Sequence, residues 1–409
     1  MSRRVLHVIP AVAPRYGGPS VATFGMCQAL DAYGVETVVA TTDADGGDRL
    51  PVETGSLQTH RGVSTIFFPR VFSESFKWSG PLASWLDANA GGFDLVHVHA
   101  VFSHASIAAA RACLRAGVPY IVRPLGTLDP WSLAHHRVRK QVLMKLGAGE
   151  MLRRASMIHY TSDAERTLAE RALGWLPRGV VVPLGIDDDC FVPAGAPGRT
   201  AAPYVLALSR LHPKKGIELL IEAFHAIAGD AATSEWTLVI AGDGDRSYVS
   251  GLERLAASGP ASGRISFRGW VSGGERIRLV ADARLFALPS QQENFGLAVA
   301  EAMAGGVAVM ISPEVNLAAD VAAHNAGWIV PRERDAWVAA LRTALASPDE
   351  IERRGRRARI LAEHFHWPAV GRELAVMYDA VMRHHAEPAR SPSRPTPRRV
   401  AAAGGRSER

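Results

Sequence analysis

The run Tyr204-Val205-Leu206-Ala207-Leu208-Ser209-Arg210-Leu211-His212-Pro213-Lys214-Lys215-Gly216 decides the fold. Five apolar residues without alternation suit a strand buried on both faces, the kind that parallel sheets use. A basic loop containing Pro213 ends the strand. Ile217, Leu220, Ile221, Phe224 and Ile227 then recur at helical spacing until Gly229 stops them. Strand, loop and helix in that order make one arm of a crossover unit.

The same alternation extends in both directions. Downstream, Thr237 to Ala241, Ile265 to Phe267, Leu285 to Leu288, Val307 to Ile311 and Trp328 to Val330 read as strands. Trp337 to Leu345, Ile351 to His364 and Ala369 to about His384 read as helices. Upstream, Val5 to Ile9, Glu36 to Thr41, Thr65 to Phe68, Leu95 to His99, Tyr120 to Val122, Met157 to Tyr160 and Val180 to Val182 form an earlier series. Ser20 is expected to cap a helix running from the Gly17-Gly18-Pro19 loop to about Ala32. Between the series lies a stretch rich in Pro, Ala and Gly. The expectation is α/β, with two doubly wound parallel-sheet domains: residues 1–192, a linker at 193–203, and residues 204–368. In such sheets ligands bind beyond the carboxyl ends of the strands.

The 409 residues suit two or three domains, and 47% hydrophobic with 21% charged content fits a soluble globular chain. No apolar run reaches membrane-spanning length and no secretory signal pattern opens the chain. Cys27, Cys113 and Cys190 are few, odd in number and far apart, which suits a reducing cytoplasm and no disulfide framework. The net charge of +6 does not point to nucleic acid. Six Arg against two Glu in residues 386–409 carry +4 of it, in a Pro/Ser/Gly-rich tail expected to be disordered.

The stretch Gln292-Glu293-Asn294-Phe295-Gly296-Leu297-Ala298-Val299-Ala300-Glu301 holds two acids eight residues apart. On one helix they would lie roughly 12 Å apart along the axis and about 80° apart around it. A helix start offers free amides and positive charge, a seat for phosphate. One long ligand with a central diphosphate would suit this layout; so would an ordinary amphipathic helix with two solvated glutamates. Arg210 and Lys215 could neutralise that diphosphate, or simply be a solvated basic loop. Gly242-Asp243-Gly244 is a weak phosphate-loop signal and completes no dinucleotide fingerprint, which counts against a nicotinamide oxidoreductase. No nucleophile elbow, catalytic cysteine motif or His-Glu-x-x-His is present. His97 and His99 are expected to face opposite ways on their strand and so not to share a metal, with His97 structural and His99 turned toward the cleft. Arg137, Arg139, Lys140, Lys145, Arg153 and Arg154 are interleaved with Trp131, Leu133, Val142, Leu143 and Leu146, either a surface for anionic lipid or a plain solvated basic face.

Taken together these segments resemble the retaining glycosyltransferases of family 4, which have the GT-B fold. The resemblance rests on Glu-x7-Glu at Glu293 and Glu301 within Pro289-Ser290-x-x-Glu293-Asn294-Phe295-Gly296-Leu297. The Ser209 to Gly216 loop, the Gly17-Gly18 loop and Asp94-Leu95-Val96-His97-Val98-His99 match in the same order. Arg123-Pro124-Leu125-Gly126-Thr127-Leu128-Asp129-Pro130-Trp131 looks like a subgroup that builds exopolysaccharide or surface polysaccharide. The resemblance implies a nucleotide-diphosphate sugar donor, of GDP-mannose or UDP-hexose type, on the second domain. It implies a saccharide or lipid-linked saccharide acceptor on the first, with no metal or other cofactor. It implies Arg210 and Lys215 on the diphosphate and Glu301 on the ribose. Glu293, Asn294 and the amides of Phe295, Gly296 and Leu297 would hold the sugar. Gly18 and Gly242 would lie by the phosphates, Trp270 and Val271 by the base, and His99 by the reacting carbon. Gly17, Arg123 and Thr127 fall on the acceptor side, and a final helix at 369–385 returns to the first domain. The enzyme would work in the cytoplasm at the inner membrane face. A sugar-nucleotide epimerase of the same fold and a non-catalytic sugar-nucleotide-binding subunit share these features.

Overall fold

In the computed structural model, residues 3–191 and 202–386 are described; most of the expected linker and the basic tail lie outside the described residues. Two large, mainly parallel sheets organise the described residues, beside a small antiparallel pair at Ala44–Asp45 and Asp48–Arg49. The first has eight strands in the order Gly179–Val181, Met157–Tyr160, Tyr120–Arg123, Leu95–His99, Arg3–Val8, Val35–Thr42, Val63–Phe68 and Leu57–His60. The second has six: Ile265–Phe267, Thr237–Ala241, Tyr204–Leu208, Leu285–Leu288, Ala308–Ile311 and Gly327–Ile329. Each central strand carries almost no exposed side chain, as the unbroken apolar runs require, because helices cover both faces.

One edge departs from the expected pattern. Leu57–His60 pairs antiparallel with Val63–Phe68 through a two-residue turn at Arg61 and Gly62, both at positive φ. The strand was hidden in the sequence because only one face of it is half-covered and its residues are mostly polar. The first helix, Gly18–Asp31, also starts differently: Gly17 is its N-cap residue and carries no side-chain cap. Ser20 is not the cap but lies within the first turn, buried, its hydroxyl donating to the Ala11 carbonyl at 3.4 Å.

A second correction concerns the histidines. His97 and His99 do not face apart; their ring centroids lie 4.4 Å from each other. Side chains alternate along a strand, so residues two apart share a face. The neighbouring strands add to the same face. His7 pairs in register with His97, and His99 with Arg123.

The last helix, Trp367–Ala386, packs on the first sheet and on the Gly18–Asp31 helix. Val370, Leu374, Met377, Tyr378 and Val381 meet Val5, Met26, Leu30 and Leu95. Arg3 donates to Asp379 at 2.6 Å and the Tyr33 hydroxyl donates to the Pro368 carbonyl at 2.8 Å. Each large apolar side chain buried there contributes about 1.5–3 kcal/mol.

Candidate active site

The candidate residues collect where the carboxyl ends of the two sheets meet. On the second domain, the loop after Tyr204–Leu208 is held by its neighbours. The Leu211 amide donates to the Asp243 carbonyl at 2.8 Å, and the Gln291 amide to the Lys214 carbonyl at 2.7 Å. Gly242 has φ of 128° and the Gly269 carbonyl on its amide at 2.7 Å. A Cβ at Gly242 would collide with the Ser209 carbonyl, so this glycine lets two loops touch. Arg210 is exposed, Lys214 and Lys215 half-buried.

Glu293 is not on the helix. The helix spans Leu297–Ala304, so the expected 12 Å and 80° geometry does not apply. Glu293 lies in a loop clamped to another: its amide donates to the Glu314 carbonyl and the Asn316 amide to its carbonyl, both at 3.0 Å. Its carboxylate forms an ion pair with Lys215, each side chain 16% exposed. Burial, then the adjacent Lys214 and Arg210, bring the Lys215 ammonium down to about 7. Gly296, at φ of 85°, is the N-cap residue of the helix and leaves its first amides without a side-chain cap. Phe295 is buried, edge-on to Phe365, so its ring is core and only its backbone borders the cleft.

Glu301 is buried on that helix and pairs with Arg276, a small cavity with Cys190 and Val280 in its walls lying beside them. Burial raises the Glu301 carboxyl above its ordinary range while Arg276 pulls it down. Trp270 is 63% exposed and free to meet a planar ligand, but Val271 is a core side chain.

The two domains touch through this site. Gly18 approaches Leu297 so closely that a Cβ on it would lie 3.3 Å from the leucine side chain. Two uncapped helix N-termini, at Gly18 and Leu297, therefore meet across the cleft. The Asn294 amide donates to the Thr161 hydroxyl at 3.1 Å. Gln292 reaches Asp129 and Ser132, and the Lys214 ammonium sits 4.5 Å from the centre of the Trp131 ring. Thr127 closes a turn, its hydroxyl donating to the Pro124 carbonyl at 2.7 Å.

His99 and Arg123 stand at strand ends as expected, yet neither side chain has any exposed surface. The expected cleft-facing His99 and acceptor-facing Arg123 are corrected to this extent: both lie beneath the cleft floor. One Arg123 Nη1–H donates toward His99 Nδ1 at 3.4 Å, and the same nitrogen lies 3.1 Å from Met26 Sδ. His7, His97 and His99 offer ring nitrogens within 4.8 Å of one another, spacing that a metal ion could span. A cation there would sit beside the Arg123 guanidinium and would break the hydrogen bonds those nitrogens already make.

Residues 17–185 match the family described as glycosyl transferase 4-like domain, and residues 196–360 match glycosyl transferases group 1. The chain belongs to the glycosyltransferases of the GT-B fold. A D-inositol 3-phosphate glycosyltransferase of Gordonia bronchialis is 27% identical over 413 residues, covering 95% of this chain and 89% of its own. A GDP-mannose:cellobiosyl-diphosphopolyprenol alpha-mannosyltransferase of Komagataeibacter xylinus is 24% identical, with 93% of each chain covered. Among solved structures, sucrose-phosphate synthase of Thermosynechococcus elongatus is similar with a TM-score of 0.76 at 20% identity, over 93% of this chain and 100% of that one.

Two side chains that hold the candidate residues of this glycosyltransferase were not evident in the sequence. Arg276 gave no signal, because its partner is 25 residues away on another helix. Glu165 accepts from the Gly126 amide at 2.6 Å and from the Thr161 amide and hydroxyl at 2.7 and 2.8 Å, and so shapes the loop opposite Asn294. Ser162-x-x-Glu165, a capping-box pattern, was the available clue.

Proposed function

We propose that this glycosyltransferase moves a hexosyl group from a nucleotide-diphosphate sugar to a saccharide acceptor with retention of anomeric configuration. The observation that carries it is the Lys215–Glu293 pair, with the Arg210 charge near Lys215, next to the place where the uncapped helix N-termini at Gly18 and Leu297 meet. Cations and amides concentrated there suit a diphosphate, and they supply the countercharge that the leaving group needs as its charge grows. Glu293 and Asn294, with the amides of Phe295, Gly296 and Leu297, hold the sugar; Glu301 takes the ribose and Trp270 the base. Both acids are occupied by internal cations, so the donor exchanges Lys215 from Glu293 to the diphosphate and Arg276 from Glu301 toward another partner.

In the step itself, the bond from the anomeric carbon to the diphosphate oxygen breaks. The acceptor oxygen bonds to that carbon on the same face, and the acceptor proton passes to a departing phosphate oxygen. Positioning of the two substrates and electrostatic stabilisation do the work, with Arg210 and Lys215 in the place a divalent ion would otherwise take.

The acceptor we favour is a lipid-linked saccharide at the inner membrane face, in polysaccharide assembly. Val138, Val142 and Leu146 are 75%, 48% and 61% exposed beside Arg137, Arg139, Lys140 and Lys145, a composition that suits anionic lipid. The Komagataeibacter relative is named for a diphosphopolyprenol acceptor, which fits the same chemistry. Among the described residues no helix is long and apolar enough to cross a membrane.

A thermal-shift panel of GDP, UDP, ADP and dTDP tests the donor reading, because saturation at about 100 times Kd stabilises by about 2.7 kcal/mol. One diphosphate should stabilise the wild type, and at the same concentration should stabilise Glu301→Ala and Lys215→Ala clearly less. No shift with any of the four would refute a nucleotide-diphosphate donor. Failure to sediment with phosphatidylglycerol vesicles would refute the membrane part alone.

A further inference from the structure

Four buried histidines, Tyr378 and Arg123 form a single row across four strands of the first sheet and the last helix. His159 Nε2 lies 2.8 Å from the Val182 carbonyl and His159 Nδ1 lies 3.2 Å from His97 Nε2. His97 Nδ1 lies 2.8 Å from the Tyr378 hydroxyl, which is 3.4 Å from His7 Nε2. His7 Nδ1 lies 3.1 Å from His99 Nε2, and His99 Nδ1 is 3.4 Å from Arg123 Nη1. All six side chains in the row are fully buried.

Proton bookkeeping leaves one arrangement. A carbonyl only accepts, so His159 carries its proton on Nε2. A neutral imidazole has one donor and one acceptor, so His159 Nδ1 accepts from His97 Nε2–H. His97 Nδ1 then accepts from the Tyr378 hydroxyl, whose oxygen accepts from His7 Nε2–H. His7 Nδ1 accepts from His99 Nε2–H. At the far end His99 Nδ1 accepts from Arg123, which only donates. Every link is satisfied and every histidine is the same tautomer. Reversing one ring would set two protons or two lone pairs against each other where no solvent reaches. The neutral state agrees with the environment: burial, with the nearby Arg123 charge, lowers His7 and His159 to about 3 and holds His99 well below its ordinary value.

The row ends under the cleft on a guanidinium with few other anchors. Arg123 Nε and Nη2 have no hydrogen-bond partner among the described residues; its hydrogen-bond contacts are His99 Nδ1 and Met26 Sδ, and the buried Glu165 carboxylate acts on it through charge. We infer that Tyr378, brought by the C-terminal helix, is a positioning residue: it joins the two halves of this directed chain and so fixes the His99 ring and the Arg123 guanidinium at the floor of the acceptor side of the site. The inference rests on the proposed placing of sugar transfer in that cleft. Tyr378 touches no substrate; it acts through His7 and His99.

Nitrogen-15 histidine labelling of the full chain tests it. Long-range proton–nitrogen correlation at neutral pH should show His7, His97, His99 and His159 all neutral with the proton on Nε2. Any of the four protonated on Nδ1 overturns the chain, and this measurement needs no variant to fold. Tyr378→Phe removes only the hydroxyl. It should shift the ring signals of His7, His97 and His99 and lower kcat for nucleoside diphosphate release from GDP-mannose or UDP-glucose roughly tenfold, with donor KM little changed. An unchanged His99 signal, or an unchanged kcat, overturns the positioning role. If the wild type turns over no sugar nucleotide of the diphosphate that stabilises it, the functional reading falls and the positioning role with it, while the wild-type tautomers still decide the chain.

Discussion

Lys215 gives the proposed donor site a pH dependence that can be worked out from its surroundings. Its ammonium is 16% exposed, has Lys214 and Arg210 close by, and is brought to about 7 against an ordinary value of 10.5. In the free protein the group is half charged near pH 7 and mostly neutral by pH 9. A diphosphate binds the charged form, so above pH 7 binding must first restore the proton. Each pH unit then costs about 1.4 kcal/mol, and affinity falls about fiftyfold between pH 7 and pH 9. The phosphates do not confound this, because their last ionisation lies near pH 6. The same lowered value makes the lysine's own contribution to stability rise as pH climbs from about 7 toward 10.5, since the unfolded chain holds the extra proton there. Calorimetric titration of the preferred diphosphate at pH 7, 8 and 9 measures the slope. Lys215→Met should bind roughly tenfold more weakly at pH 7 and show no slope. An affinity that changes less than about threefold in the wild type, or a slope that survives in Lys215→Met, would refute the reasoning.

Two further outcomes follow from buried pairs and tight loops. Arg276→Met strands the Glu301 carboxylate, 8% exposed, and should cost roughly 2–4 kcal/mol in urea unfolding. The double variant Arg276→Met/Glu301→Leu should recover most of that loss, and equal instability of single and double variants would show that the pair is not what matters. Gly242→Ala should destabilise by more than about 1 kcal/mol and weaken diphosphate binding, because φ of 128° and the Ser209 carbonyl leave no room for a methyl group. Wild-type unfolding and binding curves would contradict this.

Legibility in the sequence followed the range of the interactions. The central strands were readable because each is an unbroken apolar run, and the Arg210 to Lys215 loop because it interrupts one. Glu293 was recognisable but its setting was not. Nothing local announces that the helix waits until Leu297, or that residues 314–316 clamp the loop. The shared face of His97 and His99 follows from the strand period alone. Their partners do not, since His159, His7 and Tyr378 come from 62, 92 and 281 residues away. Arg276 against Glu301 is of the same kind: a helix pairing that only the packed domain defines.

The return of the last helix to the first sheet bears on how the chain can be made. During synthesis, residues 3–181 supply every strand of the first sheet long before Val370 to Val381 exist to cover Val5, Leu30 and Leu95. A nascent first domain therefore waits with an oily groove open while the whole second domain is translated. Contacts that separated in sequence are slow to form, and an exposed groove invites association. Deleting the final twenty residues of the described chain would then injure the half of the protein made first, and leave the half beside them in sequence largely whole.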